Sequence, residues 1–157
     1  MAKPANKQMA DDIKVIREIV ERVPDHFSMK HVVGATFGAL IFGLTFALKG
    51  LLLEVTAGLT EDHLLLIVLA IFVILTAEIY YIGYARIKDK QSRHLGQFWA
   101  KRIAAYAIIG FVVSAFLVYL YGINNLVANS EHLRNVIIAL ALPCCLGASV
   151  ADLLKKY

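Results

Sequence analysis

Long apolar stretches alternate along the chain with short polar ones. Four of them, His31–Leu53, Leu64–Ala85, Ile103–Gly122 and Leu133–Ala151, carry scarcely any charge. At about 1.5 Å of rise per residue, each is long enough to cross a hydrocarbon core about 30 Å thick. The connections between them are too short to hold a soluble domain. The pattern therefore predicts an all-α integral membrane four-helix bundle over residues 31–157, preceded by a cytoplasmic segment over 1–30. In that segment, "MADDIKVIREIVERVPD" sets Met9, Ile13, Ile16, Val20 and Val23 at heptad spacing and ends at Pro24. A short amphipathic helix is expected there, with Asp11 and Asp12 in its first turn. It either pairs with copies of itself or lies flat on the inner leaflet. Two heptads alone seldom hold a coiled coil, which favours the leaflet.

The first span has a second pattern inside the apolar one. In "VGATFGALIFGLTFALKG", Ala35, Ala39, Gly43 and Ala47 fall four apart, and Gly34 and Gly38 form an adjacent Gly-x-x-x-Gly step. The fourth span repeats the idea with Ala139, Pro143, Gly147 and Ala151, and the third adds Gly110 and Ser114. Ridges of small residues let helix backbones approach closely in lipid, where packing drives association. Gly34, Gly38, Ala39, Gly43 and Gly147 are thus expected at helix contacts, within one protomer or, alternatively, at a pore or subunit interface. Pro143 lacks the N–H that would bond the Ala139 carbonyl, so a kink and a freed carbonyl are expected mid-span.

Composition agrees with a membrane protein, since 59% of the residues are hydrophobic and the charges are gathered in blocks. Of 16 Lys and Arg residues, only Lys49 and Arg134 fall at the ends of spans facing away from the rest. The positive-inside rule then puts both termini in the cytoplasm, across the cell membrane. The net charge of +4 is accounted for by topology and lipid headgroups, with no nucleic-acid partner needed. On the outer side Glu54, Glu61, Asp62 and Glu131 outnumber the bases, which favours cations at that mouth. The first span reads as an uncleaved signal-anchor.

Charge inside a span is rare, and one residue stands out for that reason. Glu78 lies about 10 Å inside the cytoplasmic end of the second span, too deep for a short side chain to reach headgroups easily. It is either a site, as proton carrier, cation ligand or counter-ion, or a helix-gluing carboxyl bonded to Tyr80, Tyr81, Tyr84, Arg86 or Lys101. Glu54 and Asp152 join it as candidate ion-pathway residues, although pairing of Asp152 with Lys156 four residues on is the simpler account. Lys49 is expected to snorkel outward or to pair with Glu54 or Glu131. The tyrosines, Tyr106 included, together with Phe98 and Trp99, form the aromatic belts of any such protein. Thr36, Thr45, Thr76, Ser114 and Ser149 are expected to bond their own helices. Adjacent Cys144 and Cys145 read as small buried hydrophobes, because neighbours about 100° apart on one helix cannot both reach one metal ion.

His26, His31, His63, His94 and His132 fall in loops or at span ends and read as interfacial polar residues; His63, beside Glu61 and Asp62, could hold a divalent cation loosely. No metal site is assigned, no cofactor is expected, and no catalytic spacing is present, so the chain is not expected to be an enzyme. The stretches "GATFGALIFGLTFALKG", "ILTAEIYYIGYARIKDK", "GQFWAKR" and "LPCCLGASVADLLKKY" resemble a family of integral membrane proteins of archaea and bacteria known only as a domain of unknown function. The resemblance implies the membrane class and no mechanism. Two functions are expected to compete. One is a homo-oligomeric channel or carrier for a small cation, a metal ion or a proton, because four spans alone are too slim for a wide pore. The other is a non-transport scaffold or partner subunit with a basic cytoplasmic face.

Overall fold

The computed structural model of the chain describes residues 13, 29–80 and 95–154. The elements among them are α1 (Met29–Ala47), α2 (Leu51–Ala57), α3 (Glu61–Glu78), α4 (Leu95–Leu120) and α5 (Ser130–Leu154), with a 3-10 turn at Ile123–Asn125. The expected amphipathic helix around Ile16 and Val20 lies outside the described residues, as do Tyr81, Tyr84, Arg86, His26, His94 and Lys156.

Three helices are long and apolar enough to cross a membrane: α1, α4 from Trp99, and α5 as far as Leu153. The pattern predicted four. Among the described residues, α3 falls short because its 18 residues carry three acids, Glu61, Asp62 and Glu78. Among the described residues the fold is all-helical with three candidate spans, and residues 81–85 of the expected second span lie outside them. One correction concerns the first span, expected to run to Leu53. The helix stops at Ala47, the chain turns through Lys49 and Gly50, and α2 begins at Leu51. Nineteen residues already rise about 28 Å, nearly a full hydrocarbon thickness. Lys49 and a weak helix former, Gly50, then make continuation unfavourable. Lys49 Nζ lies 5.4 Å from the centre of the Phe46 ring, a cation–π contact.

α5 is the central element. α1, α3 and α4 each pack along it, and α2 rests on its beginning. On α1, burial runs against residue size: Gly34, Ala35, Gly38, Ala39 and Gly43 are buried, whereas Phe37, Ile41, Phe42 and Phe46 are exposed. α4 likewise turns Ile108, Val112 and Phe116 outward at four-residue intervals. Large apolar side chains cost nothing against lipid, so the interior is free to use small residues and close contacts. The closest contact joins Gly38 to Gly147. A Cβ on Gly38 would come within 2.1 Å of the Gly147 carbonyl oxygen, and one on Gly147 within 2.3 Å of the Gly38 oxygen. α1 and α5 therefore cross backbone to backbone.

The two cysteines fill notches on either side of α5. Cys144 Sγ occupies the space a side chain at Gly43 of α1 would need, and Cys145 Sγ does the same at Gly110 of α4. Both are buried free thiols, as small packing residues would be. α5 runs unbroken as a helix across Pro143.

The helix ends have identifiable causes. Asn129 Oδ1 accepts from the His132 N–H at 2.8 Å, an N-cap for α5. At the start of α3 the Thr60 N–H donates to His63 Nδ1 at 3.4 Å, and Thr60 Oγ1 lies 2.7 Å from the same nitrogen. α4 stops where Gly122 takes φ +66, a conformation that strains any residue with a Cβ. At the opposite end of α4, Trp99 Nε1 donates to Thr76 Oγ1 at 3.2 Å. Its ring also meets Phe72 edge-on at 5.5 Å, so one side chain ties α3 to α4. Trp99→Phe should lower stability by about 1 kcal/mol through the lost hydrogen bond. Thermal unfolding in detergent would show it, and in a Thr76→Val background the same change should cost less.

Candidate functional site: a buried polar cluster at one end of the bundle

The end of the bundle where α1 begins and α5 finishes gathers polar groups from four helices. Asp152, fully buried near the end of α5, is held from three directions. His31 Nδ1 of α1 donates to Oδ1 at 2.6 Å. Tyr106 Oη of α4 donates to Oδ2 at 2.6 Å. Arg102 Nη1, one turn earlier on α4, lies 3.3 Å from the same oxygen and 3.1 Å from Tyr106 Oη. Arg102 and Tyr106 are buried as well. A carboxylate and a guanidinium removed from water must compensate each other, and hydrogen bonds must saturate what remains.

One turn back along α5, Ser149 carries the second part of the cluster. Its hydroxyl is buried, lies 3.0 Å from the Leu146 carbonyl oxygen, and hydrogen-bonds the Glu78 carboxyl of α3. Spacing explains the grouping, because residues three apart on a helix share a face. Ser149 and Asp152 thus address α3 on one side and α1 with α4 on the other.

Of the expected pathway residues, Glu78 and Asp152 come to the same end of the bundle, and Glu54 does not. Glu54 is exposed on α2 at the far end. Among the described residues Glu78 bonds Ser149, while Tyr81, Tyr84 and Arg86, also expected to reach it, lie outside them. Asp152 finds His31, Arg102 and Tyr106, while Lys156 lies outside the described residues. Three members of the cluster were not singled out by sequence. By sequence Tyr106 belongs to the aromatic belt and His31 to the interface, and Arg102 is one of the bases on the cytoplasmic side. The available signal was the spacing Arg102-x-x-x-Tyr106, a basic and a phenolic group one turn apart at the mouth of an apolar helix. The hydroxyls of Thr36, Thr45, Thr76 and Ser114 do bond their own helices, as expected.

At the other end, His132 Nε2 lies 3.2 Å from both Thr56 Oγ1 and the Leu53 carbonyl oxygen, so it docks α2 onto α5. Arg134 pairs with Glu61 and lies 3.9 Å from Glu131. His63 is engaged with Thr60. Among the described residues, no group of three His, Cys, Asp or Glu side chains could hold a metal ion.

Apolar helices with outward-facing large side chains, joined through small residues and a buried charge cluster, define a helical integral membrane protein. Residues 4–154 match the family described as "Putative integral membrane protein (DUF2391)". The chain belongs to that family. No curated protein and no solved structure matches it.

Proposed function

We propose that the chain is a proton-transporting membrane protein, a channel or carrier assembled from several copies, in which Glu78 carries the proton. In this reading α3 contributes to a fourth crossing of the cell membrane, and both termini face the cytoplasm. The observation that supports it is the position of the Ser149 hydroxyl between the Glu78 carboxyl and the Leu146 carbonyl. A hydroxyl has one proton to give and lone pairs to accept. Turned toward Glu78, it donates to an ionised carboxylate. Turned toward Leu146, it accepts from a protonated carboxyl. Both charge states of Glu78 therefore have a satisfied arrangement at the cost of one hydroxyl rotation. An intramembrane acid with that freedom suits proton transfer.

The same geometry favours a proton over a metal ion. Alkaline-earth ions such as Ca²⁺ and Mg²⁺ take about six or more oxygen ligands, whereas a proton needs one carboxyl. Asp152, the nearest second acid on α5, is engaged by Arg102, His31 and Tyr106 and in this reading is structural. That engagement is also what the scaffold reading would draw on, with the cluster as a static lock between helices. Protein reconstituted in liposomes with an internal pH dye separates the two. Proton uptake under a potassium diffusion potential is expected, and Glu78→Gln should reduce it on the order of tenfold or more. Flux undiminished in Glu78→Gln would remove Glu78 from the pathway.

A further inference from the structure

α1 has risen about 28 Å by the time it ends, close to a full hydrocarbon thickness. Residues 48–50 then separate it from α2. A helix end leaves backbone N–H and C=O groups without partners inside the helix, and lipid tails cannot satisfy them. Two such ends meet at this break, so it belongs at the depth where water reaches the chain. At the same end of the bundle α4 exposes Tyr119 and Tyr121, residues suited to a membrane boundary.

α2 is fixed to the beginning of α5 through one face. Thr56 is fully buried, and His132 Nε2 lies 3.2 Å from both Thr56 Oγ1 and the Leu53 carbonyl oxygen. Asn135 Nδ2 donates to the carbonyl oxygens of Thr56 at 3.4 Å and of Leu59, past the helix end, at 3.3 Å. Away from α5 the helix presents uncovered apolar groups. Leu51 and Val55, one turn apart, are each more than half exposed, as is Leu48 before them. They follow directly on Phe46, the last of the large side chains that α1 turns outward. In a chain of an integral membrane family that outward band meets lipid. Glu54, the one charge on α2, is exposed.

We propose that α2 is an interfacial helix, lying along the membrane surface at the end of the bundle away from Asp152. Leu48, Leu51 and Val55 sit among the lipid acyl chains beneath the headgroups, with Glu54 toward water. A second copy of the chain is the weaker occupant, because a seven-residue helix offers far less than the roughly 800 Å² per partner of a standard protein interface. Through His132 and Asn135 the lipid contact of α2 sets the depth at which α5 starts. Glu78 takes no part, so the inference is independent of proton transport.

Spin labelling of the full chain in phosphatidylcholine vesicles tests the assignment. Leu51→Cys, Val55→Cys and Glu54→Cys each place a nitroxide on α2, and Phe37→Cys, midway along α1, gives a deep reference. Cys144 and Cys145 are buried, and the unsubstituted chain measures any background from them. Collisions with oxygen, which enters lipid, are compared with those of a nickel chelate, which stays in water. At positions 51 and 55 the oxygen-to-nickel ratio should exceed that at 54 several-fold and fall below that at 37, the order for a shallow lipid site. A ratio at 51 and 55 equal to that at 54 would overturn the proposal, since α2 would then lack a lipid side. A ratio equal to that at 37 would place α2 within the span, and labels shielded from both reagents would show protein cover, a second copy included; either result would overturn it as well.

Discussion

Asp152→Ala should destabilise the folded protein by about 3–5 kcal/mol, the range for breaking a buried ion pair by removing one partner. The loss arises less from the missing attraction than from what stays behind. Arg102 is 2% exposed. Without Asp152 the guanidinium would lose the carboxylate oxygen it faces at 3.3 Å, and His31 and Tyr106 would each lose their 2.6 Å acceptor. Removing both charges should be milder than removing the acid alone, so Asp152→Ala with Arg102→Leu should recover part of the stability. Unfolding midpoints in a denaturant series, in one detergent, would measure all three variants. Additive losses would contradict a coupled cluster.

Gly147→Val should be comparably damaging, for a steric reason. The atoms that a side chain at Gly147 would strike are the Gly38 backbone, at 2.3 and 2.8 Å, and Phe42 Cβ, at 2.8 Å and fixed to its own backbone. Backbone cannot rotate away as a side chain can, so α1 and α5 must separate. Overpacking of a tight core typically costs about 1–3 kcal/mol and occasionally more. The upper part of that range is expected, because α1 rests mainly on α5. Gly43→Ala offers an internal comparison. There the added methyl would meet Cys144 Sγ and Leu117 Cδ1, both ends of side chains. It should therefore cost less than Gly147→Ala, as read by monodispersity in detergent and by thermal unfolding. The reverse order would argue against the backbone crossing.

These two predictions draw on different degrees of legibility in the sequence. The glycine contact could be read in advance, because small residues four apart in an apolar run have one main physical use, close helix approach. Which partner each would meet could not, since Gly38 and Gly147 are 109 residues apart and spacing within one helix says nothing of its neighbour. Cys144 and Cys145 were legible as packing residues for a related reason: adjacent positions on a helix face different neighbours, and the structure sets one against α1 and the other against α4.

The cluster was harder to read. Glu78 stood out because a lone acid in an apolar run is costly, and Asp152 because it lies at the end of one. Arg102, Tyr106 and His31 each had an ordinary explanation at the membrane boundary. Only the tertiary fold makes one site of them, by bringing the start of α1, the start of α4 and the end of α5 to the same level. The first span was overextended for the opposite reason. Hydropathy runs on through Leu51–Leu53, but α1 has already reached a membrane thickness at Ala47, and Lys49 belongs in the interface.

Ion selectivity in liposomes tests the central claim most directly. Vesicles containing the protein would be given, in turn, a proton gradient and an equal gradient of sodium or of a divalent cation, with matched dyes reporting each ion. The account predicts proton movement that depends on Glu78 and no comparable movement of the metal ions. Metal-ion flux without proton flux, or no ion movement under any gradient, would contradict it.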